Sequence, residues 1–577
     1  MILAKREPIL FTVSCGIFAN ALIISVLAYS FTVENNQNEN YSEGLFFQTL
    51  KNGNQFLAHM RFTLRSTNVA GAHHYFFPKE IGKILDLLPI RSVTLISSQG
   101  RWNSYYWGEP PMEVPPSGSF IMADIEENYL NHTWTQLLAI LDGLSCIPLD
   151  SLSDLYSSSR LPRDDFDSMG GTRYQTLYSS LPHETFCLEN LSKWRKFFPC
   201  GKDVGILSLV DTQELMKSPY KSLGFTAKTV FTKTGNPAFV ELVLQLSVVL
   251  SLPKIGSAPY SLKTLFHSSK PFIDCPLVTS SNCHFKVPHS LDHNEHTRRH
   301  RLDENGDILT GNCSAIGEEF LVYWGKGLPY IASSKPHSRI ELQKQELGSV
   351  YNMNPSQNLQ AGFLLRFTNH DSLNSKTIRY HDYFPPYLKP LLHTFSAEYR
   401  HAKSFHHEKC HDKVLFGEDA LQDLQIKWGF TDGKKVSSTF SLRTEIPPQC
   451  FLLVRFDMIK AFIPSNRFSF DVNLGKSLKS GILLSTPNQG DFLWPSLFSF
   501  LIPSSHKNVT SNALFQDDFL MKEELAIFTD DWWTWQFPSE LLIAIPVPDF
   551  SMTYNIMAFI GILLTFFFAS IFRAATG

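Results

Sequence analysis

Apolar and polar residues change period along this chain, and the changes mark out its elements. From Phe56 to Phe62 every second residue is apolar, with His59 and Arg61 between them, which is the two-residue period of a half-buried strand. Ile81, Ile84, Leu85 and Leu88 fall on one helical face and predict a short amphipathic helix over Pro78 to Leu88. A strand follows at Ser92 to Ile96. Leu137, Leu138, Ile140, Leu141 and Leu144 predict a second helix over Trp134 to Leu144. Asp150 to Ser180 is rich in Ser, Asp and Gly and reads as a surface loop. Phe239 to Leu252 is apolar in both periods and fits either element. Beyond about Pro253 short alternating runs take over, at Glu319 to Trp324, Phe363 to Phe367, Leu424 to Phe430, Phe451 to Met458 and Ser539 to Ile545. Pro and polar turns separate them, as in an antiparallel sheet or sandwich. The predicted fold class is α+β and β-rich: an N-terminal α+β module over 32–255, then an antiparallel β-sandwich-like module over 256–553.

The two ends are apolar for a different reason. Lys5 and Arg6 precede an apolar run to about Phe31, with a small-residue cleavage option near Ala28-Tyr29-Ser30. Residues 1–31 therefore read as a signal peptide, with an uncleaved signal anchor as the competing reading. Tyr554 to Phe572 carries no charge and matches the roughly 20 residues needed to cross hydrocarbon. Arg573 follows as a cytosolic stop, leaving 573–577 as a short tail. The expected topology is a type I single-pass membrane protein whose bulk faces the secretory lumen.

Composition narrows the function class. Charged residues are 18% and the net charge is -3, so no strong overall field favours nucleic acid as a partner. Five sequons fall on the expected lumenal side, at Asn40, Asn131, Asn190, Asn312 and Asn508. With Cys15 removed in the signal, eight cysteines remain: Cys146, Cys187, Cys200, Cys275, Cys283, Cys313, Cys410 and Cys450. An oxidising lumen makes disulfides their default fate. Eight thiols allow on the order of a hundred connectivities, so pairing stays open.

Three patterns are candidates for chemistry. His407-Glu408-Lys409-Cys410-His411 is a formal H-E-x-x-H, the zinc-peptidase pattern in which two His share a helix face and the Glu is general base. Its polar flanks, with Gly417 close behind, offer no buried helix to carry it, so no metal site is assigned. His289, His293, His296 and His300 lie among Arg298, Arg299 and Arg301 and read as a solvated loop. Cys187 has His183 upstream, but Pro182 intervenes and no nucleophile signature surrounds it, so a cystine is the expected fate. The Trp532-Trp533-Thr534-Trp535 cluster fits a buried contact or a membrane interface equally.

Four blocks together resemble one family. They are His74-Tyr75-Phe76-Phe77-Pro78-Lys79; Gln99-Gly100-Arg101-Trp102 with Tyr106-Trp107-Gly108 and Pro110; Cys187-x-Glu189-Asn190-Leu191-Ser192-x-Trp194 closing at Pro199-Cys200; and Pro546-x-Pro548-Asp549-Phe550-Ser551-Met552-x-Tyr554-Asn555. In content and order they are similar to the PIG-T subunits of glycosylphosphatidylinositol (GPI) transamidase, while about Tyr260 to Asp530 matches loosely. The resemblance implies a non-catalytic scaffold in the endoplasmic reticulum membrane, without a cofactor. Its expected partners are a caspase-like catalytic subunit, the other membrane subunits and, through the complex, the GPI lipid and the proprotein's C-terminal signal. It further implies that Cys187 makes the interchain disulfide to the catalytic subunit. The remaining seven lumenal cysteines are then intrachain candidates. Asn190 becomes the least favoured glycan site, because a glycan there would crowd the partner. The stretch His401 to Asp419 is expected to be an insertion between strands. A membrane-anchored zinc peptidase using His407 and His411 is the alternative reading, and a generic adhesion ectodomain is another.

Overall fold

The computed structural model describes residues 39–67, 75–152, 159–161, 168–169, 172–182, 184, 186–201, 204–231, 237–251, 265–266, 273–286, 308–312, 340–348, 359–371, 374–401, 413–416, 424, 426–430, 438–462, 476–486, 534–538, 540–546 and 550–577. Residues 1–31, the His-rich loop around His293 and the H-E-x-x-H motif lie outside them.

One eleven-stranded sheet organises the N-terminal part. Its strands are β1 (Glu39–Thr49), β2 (Gln55–Ser66), β3 (Ile90–Gln99), β4 (Gly118–Glu126), β5 (Ser159–Arg160), β6 (Ser168–Met169), β7 (Thr172–Leu181), β8 (Lys221–Phe231), β9 (Pro237–Ser251), β10 (Ser280–Lys286) and β11 (Ile308–Asn312). The order is β11-β10-β1-β2-β9-β8-β3-β4-β7-β5, with β6 paired to β7 off this path. Only β1 and β10 run parallel; the other pairings are antiparallel. The sheet thus draws on residues past 255, through β10 and β11. Helices α1 (Lys79–Leu87), α2 (Ser104–Trp107), α3 (Leu130–Ser145), α4 (Leu188–Arg195) and α5 (Thr212–Lys217) punctuate it.

The ambiguous run at Phe239 becomes β9, and its double period has a simple cause. Leu242, Leu244, Leu246, Val248 and Leu250 face the core formed with α1, α3 and α4. Val243 and Val249 point the other way into two further apolar clusters. A strand covered on both faces has no polar side to show. The same covering overturns the half-buried reading of β2: His59 and Arg61 lie on its second face, yet both are buried. His59 Nδ1 meets Ser247 Oγ at 2.7 Å. Part of the expected loop at Asp150 to Ser180 is also strand, because β7 pairs with β4 from Ser119 to Glu126.

The C-terminal part is a sandwich. One sheet runs β12 (Ile340–Gly348), β13 (Gln360–Asn369), β19 (Cys450–Lys460), β15 (Leu388–His401), β16 (Lys413–Phe416). The other runs β17 (Lys427–Phe430), β18 (Ser438–Ile446), β14 (Lys376–Phe384), β21 (Ile482–Ser485), β22 (Thr534–Gln536). A two-stranded pair, β20 (Lys476–Leu478) with β23 (Leu541–Ile543), completes it. Aromatic rings from both sheets fill the space between them: Phe363 meets Phe384 at 5.1 Å, and Phe456 meets Phe384 and Phe440 at 5.8 and 5.9 Å. Each such buried ring is worth about 2–3 kcal/mol in transfer free energy. Strand β16, edge-paired to β15, falls inside the expected insertion.

The sandwich docks on the second face of the large sheet. Ile482 and Trp535 pack with Ile96, Phe120, Met122 and Tyr178. Polar contacts frame the junction: Ser159 Oγ meets His381 Nε2 at 3.1 Å, Lys479 Nζ donates to Ser179 Oγ at 2.7 Å, and Trp535 N–H donates to the Glu113 carboxylate at 2.9 Å. Trp535 is therefore a buried contact between the two parts. Burial lowers the His381 imidazole to about 4, so it stays neutral in this junction near neutral pH. Last comes α6 (Phe550–Thr576), whose stretch Asn555–Thr576 is long and apolar enough to cross a membrane.

Candidate functional site

The Cys187 segment joins the end of β7 to the helical layer. Cys187 is the N-cap of α4, and Asn190 is the third residue of that helix. A capping box closes between them, with Cys in the place usually held by Ser or Thr. The Asn190 side chain accepts from the Cys187 backbone N–H at 2.9 Å and from its thiol at 3.0 Å. The far end of α4 is fixed by aromatics. Trp194 Nε1 donates to the Gly224 carbonyl on β8 at 3.2 Å, and its ring lies 4.5 Å from Phe198, which in turn meets Phe62 on β2 at 4.6 Å. Cys200, directly after Pro199, is bonded to Cys275 with the Cα atoms 5.9 Å apart. One end of the segment is thus anchored in the core and stapled, while the other presents a thiol.

Two free thiols remain among the described cysteines, Cys146 and Cys187. Cys283 and Cys450 are disulfide-bonded, and Cys313 and Cys410 lie outside the described residues. Cys146, an intrachain candidate by sequence, is unbonded and exposed. It closes the C-terminus of α3 in the left-handed region, at φ 56°. The two thiol residues flank one side chain, because Asn190 Nδ2 donates to the carbonyls of Ser145 and Cys146 at 2.9 and 3.2 Å. Behind it is a cavity of about 30 Å³, lined by Leu144, Ile147, Trp194 and Phe225 among others. That is room for about one or two water molecules; the reactive group this segment presents is the Cys187 thiol. His183 lies outside the described residues; burial raises the nearby Glu184 carboxyl above its usual range.

The sequons divide. Asn40 on β1 and Asn131 on α3 are exposed, Asn190 is buried, Asn312 ends β11, and Asn508 lies outside the described residues. The bonding role of Asn190 was legible in principle, since Cys-x-x-Asn before an apolar residue is a capping-box spacing.

Two of the other family-like blocks are built against the large sheet. The backbone N–H groups of Tyr75, Phe76 and Phe77 all donate to the buried Glu39 carboxylate on β1, at 2.8, 2.8 and 3.1 Å. Trp102 and Trp107 stack edge to face at 5.2 Å on the second face of the sheet, against Tyr220. Gly100 makes that turn at φ +89°, where a Cβ would sit 2.1 Å from the Pro219 carbonyl. Gly100→Ala is expected to cost about 2 kcal/mol, seen as a lower thermal midpoint of the purified chain; an unchanged midpoint contradicts the assigned turn.

Known proteins resemble this chain along most of its length. The model of the family described as Gpi16 subunit, GPI transamidase component, matches residues 23–259 and 256–576. The Homo sapiens GPI-anchor transamidase component PIGT is 22% identical over 527 residues, 84% of this chain and 81% of its own length. The Schizosaccharomyces pombe GPI transamidase component PIG-T homolog is 21% identical over 570 residues, 96% of this chain and 92% of its own. The Saccharomyces cerevisiae GPI transamidase component GPI16 is 27% identical over 286 residues, 43% of this chain and 46% of its own. A chain matched by one family model from before its first strand to the end of its membrane-length helix belongs to that family, the Gpi16 subunits of GPI transamidase.

Proposed function

We propose that this subunit is the non-catalytic brace of its transamidase, holding a caspase-like catalytic subunit through an intermolecular disulfide at Cys187. The bulk of the chain then sits in the endoplasmic reticulum lumen, with α6 among the membrane helices of the other subunits, and Asn40, Asn131, Asn312 and Asn508 as the glycan sites. The observation that carries the reading is the state of Cys187. It is free and partly accessible on a helix cap, while Cys200 thirteen positions on is already closed. A tether must be rigid behind the sulfur and open in front of it, and the aromatic anchoring of α4 supplies the rigidity. Two thiols, one from each chain, give up two protons and two electrons to a lumenal disulfide oxidant to form the bond. Cutting and transfer of the proprotein belong to the partner.

The test is non-reducing electrophoresis of the complex purified in mild detergent. Wild type is expected to run as a covalent heterodimer, Cys187→Ser to lose that band completely, and Cys146→Ser to keep it. A band that survives in Cys187→Ser, or vanishes in Cys146→Ser, overturns the assignment.

A further inference from the structure

Asn190 heads an Asn-Leu-Ser sequon, yet its amide has nothing left to give. Both ends are engaged: Nδ2 with the carbonyls of Ser145 and Cys146, Oδ1 with the N–H and S–H of Cys187. The residue is 4% exposed, and the wall behind it is apolar. Turning the amide toward water would abandon four contacts and leave the last carbonyls of α3 without a donor.

We infer that Asn190 is a positioning residue for the tether thiol, and that a glycan on Asn190 and the tethered state exclude one another. A glycan replaces one Nδ2 hydrogen and puts a sugar where α3 meets α4. A chain modified there before folding cannot close the clamp. With Nδ2 bare, one side chain ties the C-terminus of α3 to the cap of α4, so the direction of the Cys187 side chain is set by a second element as well as its own helix. The inference rests on the proposed tether role of Cys187 for its function, but its geometry stands without it.

The test uses the full chain expressed within its complex. Ser192→Ala abolishes the sequon and leaves Asn190 in place. It is expected to change neither the glycan mass of the chain nor the yield of covalent heterodimer. Asn190→Ala is expected to lower the heterodimer yield about tenfold, the population effect of losing at least one net hydrogen bond. In the reduced chain it is expected to raise maleimide labelling of Cys187 over that of exposed Cys146 about fivefold, by freeing the thiol. An intact Cys200–Cys275 bond reports that the fold survives. If Asn190→Ala does not fold, Asn190→Ser, which keeps a short acceptor for the cap, takes its place with the same expected direction. A glycan found on Asn190 in the covalent heterodimer overturns the inference, as does wild-type yield and labelling ratio in the folded variant. If Cys187→Ser keeps the heterodimer, the tether reading fails by itself, and the labelling ratio still decides the clamp.

Discussion

Glu241→Gln is expected to destabilise the large sheet by about 3 kcal/mol at neutral pH, because it removes the buried carboxylate that supports buried Arg61 and pairs with the partly exposed Arg65 and Lys228. Glu241 on β9 stands in register with Arg65 on β2 and Lys228 on β8, one cation on each side. Its carboxylate meets Arg65 Nε at 2.8 Å and Lys228 Nζ at 3.1 Å and is almost wholly buried. Burial alone would raise the carboxyl; Lys228, Arg65 and Arg61 outweigh it and hold it at about 2. Arg61, buried on the same face, is pushed down to about 9 by its own desolvation, with Glu241 as its support. The sign of the pH effect follows. A carboxyl at about 2 in the folded chain, against 4.5 ordinarily, contributes stability that is complete above 4.5 and is lost as pH falls toward 2. The full contribution is about 3 kcal/mol. Denaturant unfolding of the detergent-solubilised chain should show wild type well above the variant at pH 7, and the two converging near pH 2. A difference under about 1 kcal/mol at pH 7 would mean that water reaches the cluster.

How much of this frame was visible in the sequence depends on what covers each strand. The helices α1 and α3 and the strands β13 and β19 each carry one apolar face, so period alone located them. Strand β2 shows the limit. Its His59 and Arg61 read as solvent-facing because the residues that cover them, Ser247 and Glu241 among others, lie about 180 positions away in the chain. Strand β7 failed for a related reason: Tyr174-Gln175-Thr176-Leu177-Tyr178-Ser179-Ser180 is polar enough to pass for loop, and only docking of the sandwich makes its second face a core. For the thiol segment, motif order marked out Cys187, but no local signal could say that Asn190 would be spent on the end of a helix 44 residues earlier. Nor could it say that Cys146 would stay unbonded. Pairing among distant residues is fixed by the assembled sheet, and a linear pattern holds no record of it.

The sandwich contains a second buried pair, and it separates two accounts of why such pairs exist. Lys344 on β12 and Asp382 on β14 come from opposite sheets, with Nζ and Oδ2 2.6 Å apart and side chains 0% and 1% exposed. The carboxylate is further held by the Tyr380 hydroxyl at 2.7 Å and the Tyr383 N–H at 2.9 Å, while the ammonium lies 5.3 Å from the centre of the Phe363 ring. Lys344→Met is expected to cost about 3–5 kcal/mol, since it leaves Asp382 charged and dry among aromatic rings. Asp382→Leu alone should cost as much by stranding the ammonium. The double variant is expected to recover most of the loss, because desolvating two ions consumes nearly all that their attraction returns. Denaturant midpoints for wild type, both singles and the double form a cycle that isolates the coupling. If the double is as unstable as either single, the pair contributes net stability and the cancellation argument fails. If Lys344→Met is nearly silent, the pair is solvated. With stability restored, the double variant also tests specificity. Lys344 reaches toward the Lys479 carbonyl, and the Lys479 side chain meets Ser179 on the large sheet. A refolded double that shows faster proteolysis between the sandwich and that sheet would place the role of the ions in fixing the docked arrangement, the frame on which the Cys187 helix stands.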